Sequence, residues 1–160
     1  MGKEIERKFL ISKDEEWTVE KGIRIIQGYL NLDKERTVRV RIKGDNAFIT
    51  IKGKNVGASR KEYEYEIPKE DADDLLKLCH QPLIDKIRRE VKNGGWTWEI
   101  DEFLAANAGL FIAEVELKNE DEKVDLPDWI EKEVTGNAKY FNSQLVQNPY
   151  SEWDEKVERN

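Results

Sequence analysis

Residues 37–53 read TVRVRIKGDNAFITIKG, two runs of alternating character separated by Gly44-Asp45-Asn46. A period of two sends successive side chains to opposite faces of a strand, and a Gly-Asp-Asn break between two such runs signals a hairpin turn. One face of 37–43 carries Val38, Val40 and Ile42, the other Thr37, Arg39, Arg41 and Lys43; in 47–52, Ile49 and Ile51 oppose Thr50 and Lys52. The hairpin is apolar on one side and basic on the other. What the basic side meets decides the fold.

The same two-faced pattern extends in both directions. KEIERKFLI (3–11) sets Glu4, Glu6 and Lys8 against Ile5, Arg7 and Phe9. IRIIQGYLNL (23–32), KEYEYEIP (61–68), IDKIRREVK (84–92), GWTWEIDEF (95–103) and LFIAEVELK (110–118) bring the total to about eight strands. Asn93-Gly94 reads as a further hairpin turn and 54–60 as a loop. Helices are expected after Pro68 (KEDADDLLKLCHQ), over 125–134 with Pro127 at its start, and over 137–147. The tail WDEKVERN reads as frayed or solvated.

Charged residues make up 38% of the 160 residues and apolar ones another 38%, with a mean hydropathy of −0.79. High charge with low hydropathy can mean disorder. Five Trp, five Tyr and five Phe in alternating segments argue instead for one folded domain. A net charge of −7 disfavours binding to nucleic-acid backbones. The single Cys79 excludes an intrachain disulfide and suits a reducing compartment. No apolar run approaches the ~18 residues of a membrane span, and no signal-peptide segment leads the chain. A cytoplasmic protein with neither nucleic-acid nor membrane partners is expected; an exposed strand wall would allow a homodimer.

A sheet with its charged face in water is the commonest source of such alternation. Two features of the set point elsewhere. The charges are sorted by strand: acidic on the first, fifth, seventh and eighth, basic on the third and sixth. Basic residues also recur two apart, as Arg39/Arg41 and Lys86/Arg88. Eight strands can close into a barrel whose interior is polar when it holds a ligand. The expectation is a mainly β (α+β) protein, an eight-stranded antiparallel barrel with a charged lumen and helices packed outside. Basic side chains in such a lumen would hold phosphate oxygens. Carboxylates two apart, Glu4/Glu6 and Glu114/Glu116, would converge on Mg²⁺ or Mn²⁺, hard cations that bridge to phosphates.

The motifs resemble the CYTH domain, or triphosphate tunnel metalloenzyme, family. Glu4-Ile5-Glu6-Arg7-Lys8 is similar to its ExExK signature, and QGYL (27–30), VRVR (38–41), TIK (50–52), SRKEYEYEI (59–67), DKIRRE (85–90), EIDEF (99–103), EVELK (114–118) and KYFN (139–142) follow in order. The resemblance implies one tunnel domain over 1–160, with about 150–160 as a frayed tail. It implies metal ligation by Glu4, Glu6, Glu114 and Glu116. It places Lys8, Arg39, Arg41, Lys52, Lys86, Arg88 and Lys139 on phosphates, the first four as catalytic groups, with Arg60 in a loop over an end phosphate. Glu62, Glu64 and Asp101 would serve a second metal or the attacking water. Arg24, Tyr29 and Glu99 are wall positions or weaker members of the site. Arg7 falls on the outward face, where a salt bridge or snorkelling would accommodate it.

The implied activity is metal-dependent hydrolysis of inorganic triphosphate, a small-molecule polyphosphate, with release of orthophosphate. Within the family a class IV adenylyl cyclase or a thiamine triphosphatase are the alternatives; outside it, a non-catalytic polyphosphate- or nucleotide-binding module. Other chemistries lack their residues. There is no GxxxxGK[ST] loop and no GxGxxG after a strand. His80, the only histidine, lies beside Cys79 late in an expected helix and reads as structural rather than as a zinc ligand or the base of a Ser-His-Asp set.

Overall fold

The computed structural model describes residues 3–154. Its strands are β1 (Lys3–Ile11), β2 (Ile23–Asn31), β3 (Arg36–Lys43), β4 (Asn46–Gly53), β5 (Ser59–Ile67), β6 (Ile84–Asn93), β7 (Trp96–Phe103), β8 (Phe111–Glu116) and β9 (Ile130–Glu133). Three α-helices, α1 (Glu15–Thr18), α2 (Lys69–Leu78) and α3 (Asn142–Gln147), accompany them. The sheet order is β5-β4-β3-β2-β6-β7-β8-β1-β9, each of these pairings antiparallel, and β5 also pairs antiparallel with β1. That last contact closes an eight-stranded barrel through only Lys3↔Lys61, Glu4↔Arg60 and Ile5↔Ser59. The β3–β4 register runs without a break from Arg36↔Gly53 to Lys43↔Asn46, and Gly44 turns the corner with φ 59°, a conformation glycine reaches without strain.

Three apolar clusters hold the barrel. Outside β1, β7 and β8, Phe9, Trp98, Ile100, Ala113 and Val115 pack with Trp17 of α1 and Trp129; Trp98 and Trp129 meet edge to face at 5.7 Å. Outside β2–β4, Val40 and Ala47 pack under Ala72, Leu76 and Cys79. Gly28 is where α2's end lies on β2: a Cβ there would stand 2.7 Å from Cys79 Cβ and Leu83 Cδ2. Gly28→Ala should therefore lower stability by about 1–3 kcal/mol, read as a shift in the urea midpoint. Cys79 thus has a packing role, and His80 is exposed.

The third cluster adds a C-terminal segment at one end of the barrel to the helices expected outside it. Leu10, Ile84, Phe103 and Ile112 lie on the same strand faces as the lumen charges, but at one end of the barrel. There they pack against Tyr140, Leu145, Val146, Tyr150 and Trp153. The C-terminal segment corks that end, with Trp153 edge to face with both Tyr140 and Tyr150. The expected frayed tail is therefore corrected for 150–154, where Tyr150 and Trp153 are buried; 155–160 lie outside the described residues.

Two helix expectations also change. The segment 125–134 turns at Pro127, whose carbonyl accepts from Ile130 N, and then runs as β9 beside β1. Leu126, Trp129, Ile130 and Val134 fall at helical spacing, but pairing with β1's free edge satisfies the backbone instead. The expected helix over 137–147 splits into a 3₁₀ turn, Ala138–Tyr140, and α3, because Phe141 is extended at φ −69°, ψ 136°. β9 also settles Arg7. Its Nε and Nη2 donate to Glu133 at 2.9 and 2.8 Å on the outer face. The outer wall of β4 and β5 stays bare, with Ile51, Tyr63 and Tyr65 exposed.

Candidate active site

Because β-strand pairs put directly opposed residues on one face, the register dictates which charges meet inside. Across β3, β4 and β5, Thr37, Lys52 and Glu62 form one row and Arg39, Thr50 and Glu64 the next. Arg88 faces Asp101 between β6 and β7; Lys8 faces Glu114, and Glu6 faces Glu116, between β1 and β8. These rows enclose a cavity of ≈ 250 Å³.

Glu4, Glu6, Lys8, Arg39, Arg41, Lys52, Arg60, Glu62, Glu64, Lys86, Arg88, Glu99, Glu114 and Tyr29 all line it. Asp101 lies behind the wall, buried beneath Lys86 and Arg88. Glu116 is exposed and outside the lining, opposite Glu6. Lys139 points away, its ammonium 4.0 Å from the Trp153 ring centre. Arg24 pairs with Asp85 at 2.6 Å, also outside the cavity lining. Arg60, expected in a loop, belongs to β5; it donates through Nε to Gly53 O at 2.6 Å and through Nη2 to Thr37 at 3.2 Å.

The charges are tied in pairs that leave donors facing inward. Asp101 takes Arg88 Nε and Nη2 at 2.8 and 2.9 Å and Lys86 Nζ at 2.7 Å. Arg39 Nη2 donates to Thr50 Oγ1 at 3.1 Å, and Lys52 reaches Glu4 at 3.1 Å. Arg41 Nε donates to Gln27 Oε1 at 2.7 Å. Gln27 Nε2 and Lys86 Nζ both donate to Asn142 Oδ1, at 3.1 and 2.9 Å. Among the described residues, Arg39 Nε is buried with no hydrogen-bond partner.

Crowding moves the titrations. Burial, then Arg39 and Arg88, lowers Arg41 to about 9. Burial lowers Lys86 to about 7, with Arg88 and Arg41 adding to it and Asp101 opposing it. Burial favours a neutral Asp101, but Arg88 and Lys86 together hold it far below the usual carboxylate range. Burial likewise opposes ionisation of Glu114, yet Lys8 and Arg88 bring it to about 2. Glu6 goes the other way: burial, then Glu114 and Glu4, push it well above the usual range, with a hydrogen bond to Glu114.

Among the described residues, no group of three or more His, Cys, Asp or Glu side chains is arranged as an ion-binding cluster. The donor set nevertheless fits a hard cation. A protonated Glu6 donating to an ionised Glu114, with Glu4 adding to the repulsion, is what crowded carboxylates do when only protons neutralise them. Oxygen ligands of this kind suit Mg²⁺-like ions.

Sequence reasoning missed Gln27 and Asn142. Gln27 was detectable: it falls two residues before Tyr29, on the lumen face of an otherwise apolar strand. Asn142 gave no period-two signal, because it enters from α3 rather than from a strand.

A family profile described as the CYTH domain matches residues 2–150. An inorganic triphosphatase of Acetivibrio thermocellus is 49% identical over 156 residues, covering 97% of this chain and 100% of that protein. A crystal structure of an inorganic triphosphatase superposes with TM-score 0.65 at 30% identity, covering 89% of this chain and 97% of that one. A conserved hypothetical protein from Pyrococcus furiosus, 19% identical with TM-score 0.56 over 74% of this chain and 80% of that one, shares the fold.

Proposed function

Since this chain belongs to the CYTH domain family, we propose that it hydrolyses inorganic triphosphate inside the barrel, releasing orthophosphate. The observation that carries the reading is the lumen itself. Lys8, Arg39, Arg41, Lys52, Lys86 and Arg88 line one cavity with Glu4, Glu6 and Glu114. A ligand with several negative charges is the chemical complement of that basic set. The enzyme depends on a divalent metal, for which we favour Mg²⁺ or Mn²⁺.

Glu4, Glu6 and Glu114, with Glu116 at their edge, are the residues that would hold the cation. When bound, it neutralises phosphate oxygens and so complements the arginines and lysines. The protein's own groups do the rest. Arg39, Arg41 and Arg88 fix equatorial phosphate oxygens, and Lys8 and Lys52 add point charges. Arg60 holds an end of the substrate near the barrel's closure. Asp101 acts from behind by aiming Lys86 and Arg88. Water attacks the terminal phosphorus as the bond to the bridging oxygen breaks, giving orthophosphate and pyrophosphate. Charge stabilisation by preset donors supplies most of the acceleration in such transfers.

No helix among the described residues is long and apolar enough to cross a membrane. A cytoplasmic site of action and the lack of a nucleic-acid partner remain our reading of the net charge of −7 and the lone cysteine. The bare wall around Ile51, Tyr63 and Tyr65 is the surface a homodimer would use.

A panel of triphosphate, ATP, thiamine triphosphate and pyrophosphate, each with Mg²⁺ and with Mn²⁺, tests the reading. Orthophosphate from triphosphate in preference to the others is expected, and chelation should abolish it. Cyclic AMP from ATP would replace the triphosphatase with a cyclase. Binding of triphosphate without turnover would leave a binding module.

A further inference from the structure

We propose that Asn142 is a positioning residue through which the C-terminal cork orients the phosphate-binding cations of the lumen. The proposal rests on the triphosphatase reading of the cavity. Its basis is one oxygen: Asn142 Oδ1 accepts from Lys86 Nζ at 2.9 Å and from Gln27 Nε2 at 3.1 Å.

Consider first what that oxygen does for Lys86. The side chain is almost wholly buried, 1% exposed. An ammonium has three N–H donors. One goes to Asp101 at 2.7 Å and one to Asn142. Two fixed acceptors leave the third donor in a single direction, on a residue that lines the cavity. With Asn142 truncated, only Asp101 would direct the ammonium, and it could rotate about that contact.

Gln27 carries the effect further. Its Nε2 is claimed by Asn142 and lies 3.3 Å from the Tyr29 hydroxyl, while its Oε1 accepts from Arg41 Nε at 2.7 Å. A carboxamide has a donor end and an acceptor end, so holding the first fixes the second. Asn142 thus sets Lys86 directly and Arg41 through one relay. Its own position comes from elsewhere: it is the first residue of α3, between Tyr140 and the pair Leu145 and Val146, all buried in the cork. The cork therefore contributes to the alignment of two cations as well as closing one end. Misplacing a binding group by an ångström or so can cost about a hundredfold in rate.

The test is a double-mutant cycle on the purified enzyme with triphosphate and Mg²⁺. Asn142→Ala should lower kcat by roughly ten- to a hundredfold, with KM changed only a few-fold, since the other basic groups still hold the substrate. Lys86→Met should lower it at least as much. The double variant should lose clearly less than the product of the two single losses, because the route through Lys86 is already gone and only the relay through Gln27 to Arg41 is left to lose. Losses that multiply, or a loss confined to KM, would overturn the proposal. So would an Asn142→Ala enzyme of unchanged kcat whose wild type turns over triphosphate, and that result leaves the triphosphatase reading standing. If Asn142→Ala does not fold, Asn142→Ser takes its place in the cycle. If the wild type binds triphosphate without hydrolysing it, the reading as an enzyme fails; the same four proteins are then compared by calorimetric Kd, and the same non-additivity is expected. A wild type that neither binds nor hydrolyses triphosphate removes both.

Discussion

Asp101→Asn should cost about 3–5 kcal/mol of folding stability, the scale for removing one partner of a buried ion pair. Asp101 is 2% exposed and serves three donors at once, two from Arg88 and one from Lys86. Asparagine offers one acceptor oxygen and turns an N–H₂ toward the other donors. Lys86 would then lose its ion-pair partner, and Arg88 would keep only the longer contacts to Glu99 at 3.3 Å and Glu114 at 3.5 Å. The pH dependence gives a second readout. Burial favours the neutral acid, but Arg88 and Lys86 override it, so the folded pKa lies below the usual value. A depressed carboxyl contributes fully above its unfolded pKa, about 3.9, and loses that contribution as pH falls through the folded value. The gap between wild type and Asp101→Asn in urea unfolding should be full at pH 7 and shrink as the pH falls below about 4. A gap under about 0.5 kcal/mol at pH 7 would mean that the lumen water solvates Lys86 and Arg88 well enough without it. Lys86 adds a second rise at higher pH. Its folded pKa of about 7 is below the unfolded one, so the folded state binds fewer protons and stability rises with pH from about 7 towards 10.

The barrel and its charged interior were legible because both depend on a local, period-two pattern. Arg39 and Arg41, or Glu4 and Glu6, share a face wherever the strand goes. Register then brings the rows together, and β3 to β5 follow it without a slip from Ala47 to Lys52. The cork was not read, although its sign is present. On β1, β6, β7 and β8 the inner face turns apolar at the same end: Lys8 is followed by Leu10 and Asp101 by Phe103, while Ile84 precedes Lys86 and Ile112 precedes Glu114. Alternation taken strand by strand hides that shared change. β9 failed for a different reason. A four-residue strand is decided by its partner more than 100 residues earlier in the chain, and Pro127 with neighbouring acids looks locally like a helix start. Lys139 shows the limit of motif transfer, since the cork's packing lays it over Trp153 instead of in the cavity.

Arg39→Ala should lower kcat/KM for triphosphate by about 10²–10³, the range for losing one preset donor to a developing charge. Arg39 is 6% exposed, and Nη2 spans Thr50 Oγ1 at 3.1 Å and Glu64 at 3.5 Å. Those contacts lock the plane of the guanidinium, while Nε stays buried with no partner among the described residues. An unsatisfied buried donor contributes nothing to the fold, while the guanidinium it belongs to lines the cavity. Folding and catalysis should therefore separate. Truncation removes an orphaned donor and leaves the Thr50–Glu64 hydrogen bond at 2.9 Å in place. The melting temperature should change little while activity falls. Arg39→Lys restores the charge without the fork, and a point charge cannot match two oxygens; it should recover only part of the loss. Turnover by Arg39→Ala within threefold of wild type would mean the phosphates lie elsewhere in the lumen. A drop in activity matched by a drop in melting temperature would make Arg39 a structural residue instead.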